Sequence, residues 1–339
     1  MATVRRSAYL AVVGVLLVLP VVATFHQARA GAELHDARVG VAAPPIVVEA
    51  LTGALSSLPG TPIDVVPIGT GALRESAALD RGRQAVADGR LDAVVVLDLT
   101  TTSDTLFVTT TRTRPYVDAV ADRLAAVSEG FGRTLQLQRV DPDRAAASAW
   151  VPGVLAGAWC GIGVLGAVAA TLVGGRVDRD GGSSLRRLAL LLLTGVVAGL
   201  GSGALVDLPG LQPLVTLVAA ATGTVAVTGG LVLAAESLLG LPGIAVAVAL
   251  LVGPTLPLLT GVTPDLLTEP WHAIDRISPP TAAWQVARGA VGHADGSAAP
   301  WAMLAAWGVI ATVTVLTARA MRPVEVRSAT APLRATGGR

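Results

Sequence analysis

Few residues in this 339-residue chain are spaced for chemistry. Gly69-Thr70-Gly71 follows a strand-like run and opens a helix-like one, which resembles a phosphate cradle built from backbone N–H groups. The third glycine of such a cradle is missing, and a turn in which Thr70 caps the helix accounts for the same residues. His26, His35, His272 and His293 are scattered without metal-ligand spacing. The single cysteine, Cys160, lies inside an apolar run, so no intrachain disulfide or multi-cysteine metal site can form. Asp98 and Asp104 flank a strand end, where solvated turn carboxylates are the ordinary explanation. No Walker A run, zinc signature or Gly-x-Ser-x-Gly elbow occurs. The chain is not expected to be an enzyme, and no cofactor or metal is expected within it.

The elements that must carry these residues are mostly apolar. Hydrophobic residues make up 52% of the chain and charged residues 14%, too apolar for a soluble protein of this length. A net charge of +1 with no dense basic patch excludes a nucleic-acid partner. There is no lysine, and the heavy use of Ala, Gly, Val and Arg fits a GC-rich bacterial genome. The arginines sit at chosen places. Arg5 and Arg6 precede the first apolar run; Arg176, Arg179, Arg186 and Arg187 separate the second from the third; Arg319, Arg322, Arg327, Arg334 and Arg339 follow the last. Basic residues in short flanks stay on the cytoplasmic side, so both termini are expected inside a bacterial cell membrane.

Six spans can be drawn: Ala8–Thr24, Val151–Val173, Leu188–Val206, Leu211–Ala235, Ile244–Val262 and Trp301–Ala318. The first ends near Ala28-Arg29-Ala30, a pattern shared by a retained anchor and a cleavable signal peptide. Between the first two spans, residues 31–148 read as an extracytoplasmic α/β domain. Val39–Ala42, Ile63–Val66, Ala93–Leu97, Thr105–Thr109 and Thr134–Leu137 are strand-like. Helix candidates lie at Pro45–Leu58, Ala72–Asp88 and Tyr116–Phe131, giving the order β-α-β-α-β-β-α-β and a small mixed sheet. The chain thus divides into 1–30 (cytoplasmic start and first span), 31–148, a five-helix membrane domain 149–320, and a cytoplasmic tail 321–339.

Within the membrane domain, Gly174–Arg187 and Glu236–Gly243 are expected as cytoplasmic loops. Outer loops fall at Asp207–Gly210 and Thr263–Pro300. Residues 264–299 are too broken by Pro270, Pro279 and Pro280 to span, yet carry Trp271, Ile274, Ile277, Trp284, Val286 and Val291. Re-entrant or interfacial helices are expected there, split at the proline pair, with both tryptophans at headgroup depth. Arg288 is expected to reach water or an acidic neighbour, Asp275 or Glu269. No ionisable residue lies mid-span, which argues against a self-powered pump; Glu236 is expected at a surface or loop. Gly153, Gly157, Gly161 and Gly195, Gly199, Gly203 form small-residue faces, for packing inside one bundle or between two chains.

One amino-terminal span, a large exported α/β domain and five further spans resemble the phage-infection-protein-like branch of the type-2 ABC exporter membrane subunits. Residues 89–97, the domain exit at Val140-Asp-Pro-Asp-Arg, and the loop stretches 263–274 and 278–291 carry the resemblance. The chain departs from it at Gly253-Pro254-Thr255-Leu256-Pro257, where relatives often carry Asn and Ser. The resemblance implies a retained first span and a permease subunit exporting a lipid, drug or other hydrophobic compound. It also implies a homodimer or heterodimer of permease subunits in the lipid bilayer, and a separate cytosolic ABC ATPase that uses the ATP. The loop would then be an outer re-entrant gate formed by Trp271, Pro279, Pro280, Trp284 and Arg288. A membrane-anchored surface receptor or scaffold of the same lineage, without transport, is the alternative.

Overall fold

In the computed structural model the described residues are 34–35, 37–56, 63–68, 75–88, 90–140, 149–174, 181–206, 210–292 and 297–320, with positions 19, 23 and 208. The expected first span, the Gly69-Thr70-Gly71 turn, His26, His293, the domain exit after Val140 and the tail fall wholly or almost wholly outside them.

Strand β1 (Ala37–Ala42), helix α1 (Pro45–Ser56), strand β2 (Ile63–Pro67) and helix α2 (Glu75–Ala87) come first. Strands β3 (Ala93–Val96) and β4 (Ser103–Thr109), helix α3 (Arg114–Gly130) and strand β5 (Thr134–Val140) follow. This is the element order that the alternation predicts. The sheet runs β2-β1-β3-β4-β5, with β1 parallel to both neighbours, β4 antiparallel to β3 and parallel to β5. Successive strand side chains point to opposite faces and build two cores. Val39, Val41, Val95, Leu106 and Val108 pack with Leu51 and Leu55 of α1 and Tyr116, Val120 and Leu124 of α3. Val94, Val96 and Phe107 pack with Ala85 and Val86 of α2. β3 is buried on both faces, which is why it reads as unbroken valine rather than as an alternation.

Asp104 corrects one expectation: it is 1% exposed, not a solvated turn residue. β4 starts at Ser103, so Asp104 lies inside the strand, and Arg133 of the α3–β5 turn donates to it from Nε (2.7 Å) and Nη2 (2.6 Å). The same guanidinium donates to the carbonyls of Asp98 and Thr101, tying the β3–β4 loop to β5.

Five long apolar helices make the second part: α4 (Val151–Gly174), α5 (Gly181–Leu205), α6 (Leu211–Leu239), α7 (Leu241–Leu259) and α10 (Ala298–Ala320). Each is long and apolar enough to cross a membrane. Between α7 and α10 lie the short helices α8 (Trp271–Arg276) and α9 (Pro279–Ala290). α6 is the central helix, packed on α4, α5, α7, α9 and α10. α5 and α10 leave Leu193, Val197, Val309 and Val313 exposed, apolar surface that lipid or another apolar partner must cover.

Five of the six glycines singled out in the sequence sit at helix contacts inside this chain. A Cβ at Gly195 or Gly199 would come within 2.6 Å of the Thr222 or Val218 Cα on α6, and Gly203 abuts Leu214. Gly153 abuts the Leu258 carbonyl of α7, and Gly157 the Leu259 side chain. Among the described residues nothing lies within 4 Å of such a Cβ at Gly161. Glu236 also departs from expectation. α6 runs on to Leu239 before Gly240, at φ 72°, turns the chain, so Glu236 lies in the last helical turns. It is buried, and the Thr171 hydroxyl of α4 donates to its carboxylate at 2.8 Å.

Candidate functional site at the junction of sheet and bundle

The chain between α7 and α10 is where sheet and bundle meet. After Gly261 turns it (φ 80°), Pro264–Leu266 form one 3-10 turn that drives Leu266 into the core under α1 and α3. Leu266 is 1% exposed, so a side chain from the membrane part of the sequence completes the core of the sheet. Proline removes a backbone donor and disfavours helix at the residue before it, so Ser278 ends α8 and starts α9 afresh. Its Oγ accepts from the Thr281 N–H at 3.3 Å as an N-cap, and Pro279 takes the first helical position, where no N–H is needed.

α9 does not lie on a surface. It packs against α4, α6, α7 and α10, and Pro279, Pro280 and Trp284 are buried. Trp284 sits in a small core with Ala156, Leu258 and Ala283, so it is a packing residue enclosed by the bundle rather than a ring on its surface. Bulk explains the difference: an indole has more apolar area to bury than any other side chain, and α9 offers it a slot between α4 and α7. Trp271, at the start of α8, is half-buried. In α8 His272 and Asp275 are buried, while Ile274, Arg276 and the following Ile277 are exposed.

Those buried polar groups belong to a network that reaches across to the sheet. Arg112, in the β4–α3 turn, donates from Nε to Asp92 at 2.8 Å and from Nη1 to Asp265 at 2.9 Å. Asp92 also accepts from the Tyr116 hydroxyl (3.0 Å) and the Arg38 backbone N–H (3.1 Å), and the Arg112 guanidinium lies 4.6 Å from the centre of the Tyr116 ring. Burial works to raise the Asp92 carboxyl, but the Arg112 charge and these hydrogen bonds hold it below the usual carboxylate value. The His35 N–H donates to the Asp265 carbonyl, and its ring stacks on His272 at 4.3 Å. The His272 Nδ1–H donates to the Pro264 carbonyl at 3.0 Å. Next to it, Asp275 accepts from the Ser278 hydroxyl at 3.2 Å, and its second carboxyl oxygen is buried without a hydrogen bond. Burial pushes this carboxyl up to about 7, the hydrogen bonds from Thr281 and Ser278 pull the other way, and the Asp265 charge adds to the rise.

A cavity of about 540 Å³ opens beside the network. Arg112 and Asp265 form its wall on the sheet side, Gln212 and Thr216 of α6 another, Trp284, Gln285 and Arg288 of α9 a third, and Trp301 of α10 a fourth. Arg288 lies over the Trp284 ring, 4.8 Å from its centre, and burial followed by the Arg112 charge lowers its guanidinium to about 9.

Of the five loop residues singled out in the sequence, Trp284 and Arg288 line the cavity; Pro279 and Pro280 start the helix that carries them; Trp271 is not among the lining residues. Sequence reasoning missed Arg112, Asp92, Tyr116 and Asp265. Arg112 and Asp265 are 153 positions apart, and no local pattern pairs them. It also missed the stacking of His35 on His272. Among the described residues no group of three or more His, Cys, Asp or Glu is placed to hold a metal ion. Comparison with family models, with curated proteins and with solved structures finds no match to this chain.

Proposed function

We propose that this protein is the membrane subunit of a type-2 ABC exporter of a bacterial cell membrane, moving a lipid, drug or other hydrophobic compound outward with the help of a separate cytosolic ATPase. In this reading the arginine-rich stretch 174–187, whose second half is the first turns of α5, and both termini are cytoplasmic, the first span is retained, the sheet domain is extracytoplasmic, and a second permease subunit completes the transporter. The cavity is then at the outer end of the bundle, because α6 begins at Leu211 and α10 at Ala298, the ends nearest the outer loops.

The observation that carries the reading is the seating of the 263–292 segment. One end of it, Leu266 and Asp265, is fixed in the sheet domain. The other end, α9, is wedged among α4, α6, α7 and α10. A change in how the bundle helices pack must therefore move a wall of the cavity and pull on the sheet domain, which is what an exit gate requires. α8 fits the same place, since its exposed Ile274 and the Ile277 that follows it suit a helix lying against lipid.

Affinity purification of the full chain from its source membrane tests the proposal. Recovery of an ABC ATPase whose hydrolysis rises in the presence of this subunit is the expected result. A chain that recovers no ATPase and stimulates none is the non-transporting receptor or scaffold instead.

A further inference from the structure

We infer that the cavity beside the Arg112–Asp265 bridge binds an uncharged, polyhydroxylated head group, a sugar or polyol carried on an apolar chain. This rests on the export reading and names the class of compound exported.

The cavity's size falls in the range of about 300–1,000 Å³ usual for small-molecule sites. Its charges are matched within the protein. Arg112 is bonded to both Asp92 and Asp265, and Asp265 lines the cavity with 26% of its side chain exposed. Arg288 lies over the Trp284 ring and has further contacts of its own. Among the described residues of the wall and their ion-pair partners, two guanidinium groups are thus balanced by two carboxylates. An anion brought into the cavity would meet Asp265 and a cation would meet Arg112, each at a Coulomb cost that an uncharged ligand avoids.

What the wall offers a ligand is hydrogen bonding of both kinds. Gln212 of α6 and Gln285 of α9 each carry an amide with two donor hydrogens and an acceptor, and among the described residues neither amide has a partner. The Thr216 hydroxyl donates to the Gln212 carbonyl at 3.0 Å, which leaves its oxygen able to accept, and Ser297 adds a second hydroxyl. The Asp265 Oδ2 accepts from Arg112, and its second oxygen can accept from a ligand. A hydroxyl group both donates and accepts, so a ligand bearing several can satisfy amides, hydroxyls and carboxylate together. A carboxylate head offers only acceptors and a bare hydrocarbon offers nothing, which would leave these polar groups unpaired away from water. Trp301 and Val286 give the wall apolar area for the C–H faces of a sugar ring. Trp301 stands in the first turns of α10, and further along that helix Val309, Ile310, Val313 and Leu316 are exposed, a hydrophobic track for the chain that carries the head.

Binding of dodecyl maltoside to the purified full-length chain in lipid nanodiscs tests the inference. The comparison probes are octaethylene glycol dodecyl ether, which has the same chain and a head almost without donors, dodecyl phosphate, which is charged, and free maltose, which has no chain. Saturable binding of the maltoside is expected, about tenfold or more tighter than that of the ether or the phosphate. Gln285→Leu should weaken maltoside binding by about tenfold and leave the ether unchanged. If that variant fails to fold, the order of the probes on the native chain still decides, and maltoside binding should be indifferent to salt. The ether binding as tightly as the maltoside, or no saturable maltoside binding by the folded native chain, overturns the inference. Dodecyl phosphate binding as tightly or more tightly, and weakening as salt rises, overturns it in favour of an anion site. Maltose binding as tightly as the maltoside overturns the amphiphile and leaves a free-sugar site. The assay needs no ATPase: maltoside binding without ATPase stimulation refutes export and keeps the site, and ATPase stimulation without binding does the reverse.

Discussion

Replacing Asp275 by Asn should make the protein more stable at pH 8 and leave it unchanged near pH 4. In the folded chain this carboxyl is 2% exposed, one oxygen accepts from Ser278, and the other has no hydrogen bond. The groups facing it are Ser278 and Thr281 of the α9 start, His272 of its own helix and Asp265 of the 3-10 turn. Its pKa is about 7 in the fold against an ordinary 3.8, so between those values the folded chain keeps a proton that the unfolded chain has released. Stability is therefore whole below about pH 4, falls as pH rises towards about 7, and stays reduced above it. A difference of about 3 between the two values is worth roughly 4 kcal/mol. Asparagine has nearly the same shape and no charge, so it removes the slope.

With an unfolding entropy of roughly 2 cal/mol/K per residue, 4 kcal/mol over a chain of this size is about 5 °C of Tm. The protein has its own reporter: Cys160 is the single cysteine and is buried in α4, so a thiol-reactive fluorogenic dye labels it only as the bundle opens. Melts of both chains from pH 4 to pH 8 should converge at the acid end and separate at the alkaline end, with the variant higher. The same pH dependence in both, or a variant that melts lower at pH 8, refutes the reasoning.

Leu266→Ala should destabilise the sheet by about 2–5 kcal/mol, because a fully buried leucine is removed from a core that cannot close over the gap; dye melts and amide exchange in β1 and α3 would register it. Arg112→Ala and Asp265→Ala should each cost about 1–3 kcal/mol and be non-additive in a double-mutant cycle, and additivity would show that the 2.9 Å contact carries no coupling. Gly199→Leu should prevent α5 from seating on α6, whereas Gly161→Ala should be neutral or stabilise by up to about 1 kcal/mol, and both are read from detergent-solubilised melts. In a Cys160→Ala background, an impermeant thiol reagent on intact cells should label Ser103→Cys and spare Ser183→Cys, and labelling at position 183 would overturn the orientation read from the arginines.

What could be read in advance followed from local periodicity. Short β-branched or alternating runs, and the longer stretches of mixed polarity between them, mark the strands and the three sheet-domain helices to within about three residues, and α2, a surface helix of mixed polarity, is as legible as buried β3. The five described apolar helices announce themselves by length, and the Pro279-Pro280 break falls where the chemistry of proline requires. Where local reasoning failed, burial decided the outcome. Asp104 and Glu236 are acidic residues at positions that a pattern treats as solvated, and both are covered by partners distant in sequence, Arg133 and Thr171. Trp284 has the amphipathic ring of a membrane-interface residue, but nothing in its neighbours' identities says that α9 will be enclosed on four sides.

The junction was illegible for a further reason. A turn of three residues, Pro264–Leu266, carries an aspartate and a leucine whose partners are all in the other half of the molecule. In isolation the pair reads as one polar and one apolar residue of a loop, with no period to test. Only the fold gives Leu266 a core to enter and Asp265 an arginine to meet. These two contacts differ in kind: leucine burial is non-directional and strong, while the arginine bridge is directional and partly solvated, with Asp265 still 26% exposed. Leu266 therefore ties the segment after α7 to the sheet by burial, and the Arg112–Asp265 pair adds a directional contact beside it. Asp265 and Arg112 both line the cavity, so the contact that joins sheet to bundle is also part of the candidate site.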